Sequence, residues 1–259
     1  MATKEFTHLH VHTEYSMLDG AARLGDLFTH AKELGMKSMA TSDHGFLFGA
    51  FDFWRQAKAH DIKPIIGVEA YLTPGTHRTD RSRVRWGDGS RDDVSGGGAY
   101  THMTMWAETT EGMHNLFRAS SIASLEGQLY KPRMDREVLQ TYSKGLIATT
   151  GCPSGEIQTR LRLGQFDEAI QAASDFRDIF GKDNFYCEVM DHGLDIERNV
   201  QEDLHRLAKQ LNLPYVATND LHYTRQEDHT AHAALLCVQS GSTLTDPKRF
   251  KFDADNFYL

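Results

Sequence analysis

Short runs in which apolar and polar residues alternate are separated by longer stretches in which apolar residues recur every three or four positions. The first run is Phe6-Thr7-His8-Leu9-His10-Val11-His12. Successive side chains of a strand point to opposite faces, so His8, His10 and His12 share one face while Leu9 and Val11 share the other. Strand-like runs follow at Ser38 to Gly45, Ile65 to Tyr71, Gly145 to Pro153 and Tyr215 to Tyr223; Met103 to Ala107 and Phe185 to Met190 bring the number to about seven. Helical periodicity covers Ala22 to Leu34, Phe51 to His60, Phe166 to Phe180 and Val200 to Leu211. Strand then helix, repeated, predicts an α/β fold with a parallel sheet. Chemical groups end too many of these strands for an open sheet with one crevice, and a closed or nearly closed β/α barrel fits better.

The polar residues that interrupt these runs carry the chemistry. Histidines two apart let one strand offer two imidazoles to one metal ion, although such a pair is also found as a hydrogen-bonded structural element. Further candidate ligands stand at the ends of later runs: His44, Glu69, Cys152, Asp220 and His222. His102 comes at the start of its run, which in a regular parallel barrel is the wrong rim. Each candidate has a plain structural alternative. Asp19, just before Gly20-Ala21-Ala22, could cap the following helix; Cys152 could be a small buried residue, as is expected of Cys187 and Cys237. Asp43 and Glu188 could orient ligand histidines or be ordinary hydrogen-bonded groups at the rim. His8, deeper on the ligand face, reads as a core histidine. Mixed imidazole, carboxylate and thiolate ligands suit zinc first, with manganese or magnesium admitted by the carboxylates. Two ions about 3.5–4 Å apart can deprotonate a water and neutralise a phosphate, so no catalytic serine is needed.

Composition narrows the setting. At 259 residues the chain suits one barrel domain with a sizeable core. Three cysteines cannot all pair, no basic and apolar leader opens the chain, and no segment has the length of a membrane span; a reducing cytoplasm is expected. A formal net charge of −8 argues against a general, charge-driven grip on nucleic acid. One segment breaks the acidic trend. Thr73 to Ala99 is polar and glycine-rich, with Arg78, Arg81, Arg83, Arg85 and Arg91 around Trp86, and reads as a long mobile loop. Arg81, Arg83 and Arg85 could guide a phosphate backbone and Trp86 could stack on a base; the alternative is a solvated insertion whose charges do little.

The segments HLHVHTEYSMLDGA, ATSDHG, GVEAY, ATTGCPSGEI and ATNDLHY, in this order, resemble the polymerase and histidinol phosphatase (PHP) domain at the front of bacterial DNA polymerase III alpha subunits. The resemblance covers essentially the whole chain. It implies a distorted seven-stranded, TIM-like β/α barrel with up to three divalent metal ions at the carboxyl ends of the strands. It also implies a distribution of ligands: His10, His12, Glu69 and Asp220 on one ion, Glu69 with His102 and Cys152 on a second, and Asp19 with His44 and His222 on a third. The small phosphatases of the superfamily usually carry histidine where this chain has Asp19 and Cys152, so the ligand set resembles the polymerase branch. By the same resemblance the barrel is expected over residues 1–249, and 250–259 look like the start of a connection into a polymerase portion.

Three functions are consistent with this reading. The first is a metal-dependent phosphodiesterase removing nucleotides from a DNA 3′ end, a proofreading exonuclease in which His10, His12, Glu69 and Asp220 are the central catalytic ligands. The second is a phosphatase on a small phosphomonoester. The third is a catalytically silent scaffold whose metals brace the barrel for the polymerase. DNA, the remaining domains of the alpha subunit and other replisome subunits are the partners this implies.

Overall fold

Strands form in this protein where β-branched, aromatic and small apolar residues run together, and glycines and prolines punctuate them. The computed structural model describes residues 6–88 and 93–259. It contains eight strands among the described residues: β1 (Ser38–Thr41), β2 (Lys63–Leu72), β3 (Thr101–Ala107), β4 (Gln128–Leu129), β5 (Lys131–Met134), β6 (Leu146–Thr149), β7 (Phe185–Val189) and β8 (Tyr215–Ala217). Helices follow most of them, and the expected α/β class is the one observed. The chain divides into two compact units, Met1–Asp43 with Phe48–Ile66 and Thr218–Leu259, and His44–Leu47 with Gly67–Ala217.

In the first unit the histidine-rich segment is extended but too irregular to be a ladder. Its pairing is nonetheless definite: Val11 bridges Leu221 in parallel, with His12 N–H donating to Leu221 O at 2.7 Å and Leu221 N–H to His10 O at 3.0 Å. On its other side Ala40 N–H donates to His8 O and Ser42 N–H to Val11 O. Strand β1 continues outward to pair in parallel with the start of β2. Helices Leu24–Glu33 and Ala50–Ala59 pack together and bury Leu27, Phe28, Phe53 and Ala57 with Val11, Met39 and Leu221. Phe28 and Phe53 meet edge to face, ring centroids 4.8 Å apart.

In the second unit the sheet order is β4-β5-β2-β3-β6-β7-β8. The pairs β2/β5, β6/β7 and β7/β8 are parallel, but β3 runs antiparallel to both β2 and β6. The sheet is therefore mixed, not parallel throughout, and the reversal resolves the position of His102. Because β3 runs against its neighbours, its beginning lies at the rim where β2 and β6 end. The core of this unit is one cluster built from Val68, Ala70, Met103, Met105, Ala148, Phe185 and Cys187 of the sheet and apolar faces of the helices, including Leu116, Phe176 and Leu204.

Helix ends deviate from the apolar pattern where polar first turns supply no period. Helix Phe166–Phe180 has the expected bounds, whereas the last long helix of this unit, Asp195–Leu211, starts five residues before Val200. Its first turn holds Asp195 and Glu197, which suit the positive end of the helix dipole.

Candidate metal centre

In the first unit two candidate histidines converge on one carboxylate oxygen. His10 Nε2 and His12 Nε2 each lie 3.3 Å from Asp220 Oδ1, a buried atom that makes no hydrogen bond among the described residues. His222 completes the group: its Nδ1 donates to the Asp220 carbonyl at 2.7 Å, which leaves Nε2 facing Asp19 Oδ2 at 3.4 Å. Two backbone turns make this possible, since Leu18 and Asp220 adopt left-handed conformations, φ 65° and 44°. Aspartate tolerates that region far better than a branched residue would. Burial opposes ionisation of Asp220, but His10, His222 and His12 around it outweigh the penalty and hold its carboxyl well below the usual carboxylate range. His222 is likewise opposed by burial, and Asp220 and Asp19 push it up.

Behind His12 stands a hydroxyl relay that sequence reading does not reveal. Asp43 Oδ1 accepts from Thr13 N–H at 2.7 Å and from Ser16 Oγ at 2.7 Å, while Oδ2 accepts from Thr41 and Thr13 hydroxyls, both at 2.9 Å. Ser16 gives its single proton to Asp43, so toward His12 Nδ1, 3.0 Å away, its oxygen accepts. That places the proton on Nδ1 and the lone pair on Nε2, aimed at Asp220. Asp43 thus orients the candidate ligand His12, through Ser16. Asp19 does not cap helix Leu24–Glu33, whose first N–H goes instead to Glu14 Oε1 at 3.1 Å.

The second unit gathers His44, Glu69, His102 and Cys152. Glu69, 2% exposed, presents Oε2 to His44 Nδ1 at 2.7 Å and Oε1 to His102 Nδ1 at 3.0 Å. Cys152 Sγ reaches the same Oε1 at 3.1 Å and lies 3.8 Å from His102 Nδ1. Gly151, at φ 81°, turns the chain sharply off β6 so that Cys152 swings toward the start of β3, where His102 N–H bonds Ser154 O. Tyr71 forms a wall of this group, its ring stacked on His44 at 5.8 Å and edge-on to His102 at 5.1 Å.

Both clusters fit divalent metal ions. Each sets nitrogen, carboxylate oxygen or sulfur donors around a common point, the ligand chemistry of zinc with room for manganese or magnesium. His10, His12 and Asp220, and separately His44, Glu69 and His102, have ligand atoms all within 4.8 Å of one another. The nine expected ligands are thus divided between the units: His10, His12, Asp19, Asp220 and His222 in the first, His44, Glu69, His102 and Cys152 in the second.

Other candidates take different places. His8 is buried, its imidazole pushed down to about 4 by that burial, and belongs to no ligand group among the described residues. Glu188 is fully buried and accepts from Thr149 Oγ1. Cys187 is buried and its thiol is pushed up to about 12. Arg81, Arg83 and Arg85 are exposed, while Trp86 is half-buried under the Arg160 guanidinium, 3.7 Å from its ring centroid. Arg91 lies outside the described residues. The segment carrying them is tied at several points: Arg78 bonds Glu126, Asp135 and Glu137, and the buried Arg133 guanidinium donates to the carbonyls of Arg78, Asp80, Ala99 and Gly127. Three residues at the sites carried no sequence signal: Ser16, Tyr71, and the buried His232, whose ring lies 5.5 Å from that of His222.

A family model described as the PHP domain matches residues 8–192. The chain belongs to the PHP domain family. The matched segment holds His10, His12, Asp19, His44, Glu69, His102 and Cys152, and the Asp220–His222 pair follows it. The chain is 59% identical over 268 residues to DNA polymerase III subunit alpha of Saccharopolyspora erythraea, covering 100% of this chain and 22% of that protein. It is 55% identical over 261 residues to DNA polymerase III subunit alpha of Mycobacterium tuberculosis, again covering 100% of this chain and 22% of the relative. The PHP chain therefore spans about a fifth of the length of these curated relatives. A solved amidohydrolase structure from Chromobacterium violaceum aligns with a TM-score of 0.48 at 13% identity, over 84% of this chain and 87% of that one. Among the described residues no helix is long and apolar enough to cross a membrane.

Proposed function

We propose that this PHP domain is a metal-dependent phosphoesterase that acts on DNA as a 3′–5′ exonuclease and serves as the proofreading domain of a DNA polymerase III alpha subunit. The observation that carries the reading is the accessibility of the ligands. His10 and His12 are sealed, but Asp19, Asp220, His44 and His102 keep 13–18% of their side chains open to solvent. Structural metal sites are closed, whereas catalytic ones keep a position for water or substrate. Divalent ions held there would supply a deprotonated water and offset phosphate charge. The protein's own groups do the rest: Asp220 and Glu69 concentrate the negative charge that retains a cation, His10 and His12 give lone pairs, and Ser16 with Asp43 fixes the proton on His12. Zinc suits the imidazole and thiolate donors best, with manganese or magnesium as alternatives. The relatives' name, DNA polymerase III subunit alpha, supports DNA as the substrate class and the remaining polymerase domains as partners; a cytoplasmic setting and other replisome subunits belong to the same proposal.

A 5′-labelled single strand incubated with the zinc- or manganese-loaded domain tests this. A ladder shortening from the 3′ end, slowed on the order of a hundredfold or more by Asp220→Asn, is expected. Bound metal with no ladder sinks the exonuclease reading. The buried part of the ligand set favours one second reading, a metal-braced scaffold, which predicts a metal-dependent melting temperature without turnover. Release of free phosphate from a monoester, with DNA left intact, would identify a phosphomonoesterase instead.

A further inference from the structure

The short hairpin of β4 and β5 carries a residue that its geometry does not favour. Leu129 pairs with Lys131, so Tyr130 alone turns the chain, and it does so at φ 61°. A bulky side chain in the left-handed region is strained, where glycine or asparagine would not be. The residue is nevertheless 72% exposed, with the Arg83 guanidinium over its ring, 4.8 Å from the centroid. Arg83 is itself steadied by the carbonyls of Gly96 and Gly97. The next residue leads toward the ligand cluster of the same unit: Lys131 Nζ lies 5.3 Å from the Tyr71 ring, the ring that packs on His44 and His102.

The charges around this tip are unbalanced. Arg81, Arg83 and Lys131 make no ion pair among the described residues, and both arginines lie close enough to Arg133 to oppose its charge. The neighbouring carboxylates are otherwise engaged: Asp80 accepts from Ser82 N–H at 2.8 Å, and Glu126, Asp135 and Glu137 hold Arg78. An exposed aromatic plane beside cations that pair with no carboxylate among the described residues is the combination by which proteins hold a single strand without reading its sequence.

We propose that Tyr130, with Lys131, Arg81 and Arg83, forms a binding site for single-stranded DNA, the tyrosine stacking on a base and the cations meeting the phosphates on either side. The inference rests on the DNA reading given above. It assigns the stacking role to Tyr130 instead of Trp86: each ring has an arginine on one face, but Trp86 is half-buried whereas Tyr130 is exposed.

Fluorescence anisotropy of a 5′-labelled oligothymidylate with phosphorothioate linkages, titrated with the full chain, tests the site without turnover. Tyr130→Ala should weaken binding at least about fivefold, with Tyr130→Phe within about twofold of the parent. Tyr130→Asn should melt no lower than the parent yet bind as poorly as Tyr130→Ala, which separates stacking from folding. Joint replacement of Arg81, Arg83 and Lys131 by glutamine should flatten the salt dependence. If the parent binds and Tyr130→Ala binds equally well, this site is wrong and the DNA reading stands. A parent with no affinity for the oligonucleotide overturns both.

Discussion

Ser16 shows how much of a candidate metal site rests on residues with no affinity for metal. Its hydroxyl passes the acceptor character of Asp43 to His12 and so decides which imidazole nitrogen carries the lone pair. Ser16→Ala should lower metal affinity by about 10-fold or more, read by competition with a chromophoric chelator, and Ser16→Thr should restore most of it. Equal affinity in the alanine variant would show that His12 needs no such support. The candidate ligands stand out in the sequence, because imidazole, carboxylate and thiol side chains interrupt apolar runs in which they have no packing role. Ser16 was not, since a serine in the turn of Glu14-Tyr15-Ser16-Met17 is indistinguishable from any other turn residue. Asp19 was legible only as ambiguous, since aspartate before glycine serves a cap as well as a ligand; in the structure Glu14 takes the helix N–H and Asp19 stands 3.4 Å from His222.

At the scale of elements, the pattern of the chain shows strands but not their direction. Alternating polarity places Met103 to Ala107 in a strand, yet it carries no mark of polarity along the sheet, and so the reversal of β3 was hidden. The anomalous place of His102 was its trace. The hairpin of β4 and β5 was also hidden, being too short to show a period. Helix Thr110–Glu126 depends on a contact equally invisible in the chain. Thr109 Oγ1 caps it by accepting from Gly112 N–H at 3.0 Å, and Gly112 sits against the backbone of Gly145 so closely that an added Cβ would run into the Gly145 carbonyl. Backbone cannot yield as a flexible side chain can. Gly112→Ala should therefore destabilise the protein by at least about 2 kcal/mol, despite alanine's better helix propensity, seen as a lower urea midpoint at unchanged slope. An unchanged midpoint would mean that the helix can slide off the turn at little cost.

For the molecule as a whole, a formal charge of −8 and clusters of carboxylates set against imidazoles make bound cations part of the stability as well as the chemistry. An ion at 100 times its dissociation constant adds about 2.7 kcal/mol to folding, so chelation should lower the melting temperature by roughly 5–10 °C. Readdition of zinc should reverse the shift, and a melting curve indifferent to chelator would argue that the sites are weak. The α/β class was legible at this scale because alternation of strand and helix periods is a property of long segments. The second unit adds one more feature with reach beyond the present sequence. Arg133 anchors the segment between β2 and β3 through main-chain carbonyls alone, and every amino acid supplies the same carbonyl. The side chains of that segment are free to drift in evolution, toward a different substrate or none, without releasing the clasp that holds it in place.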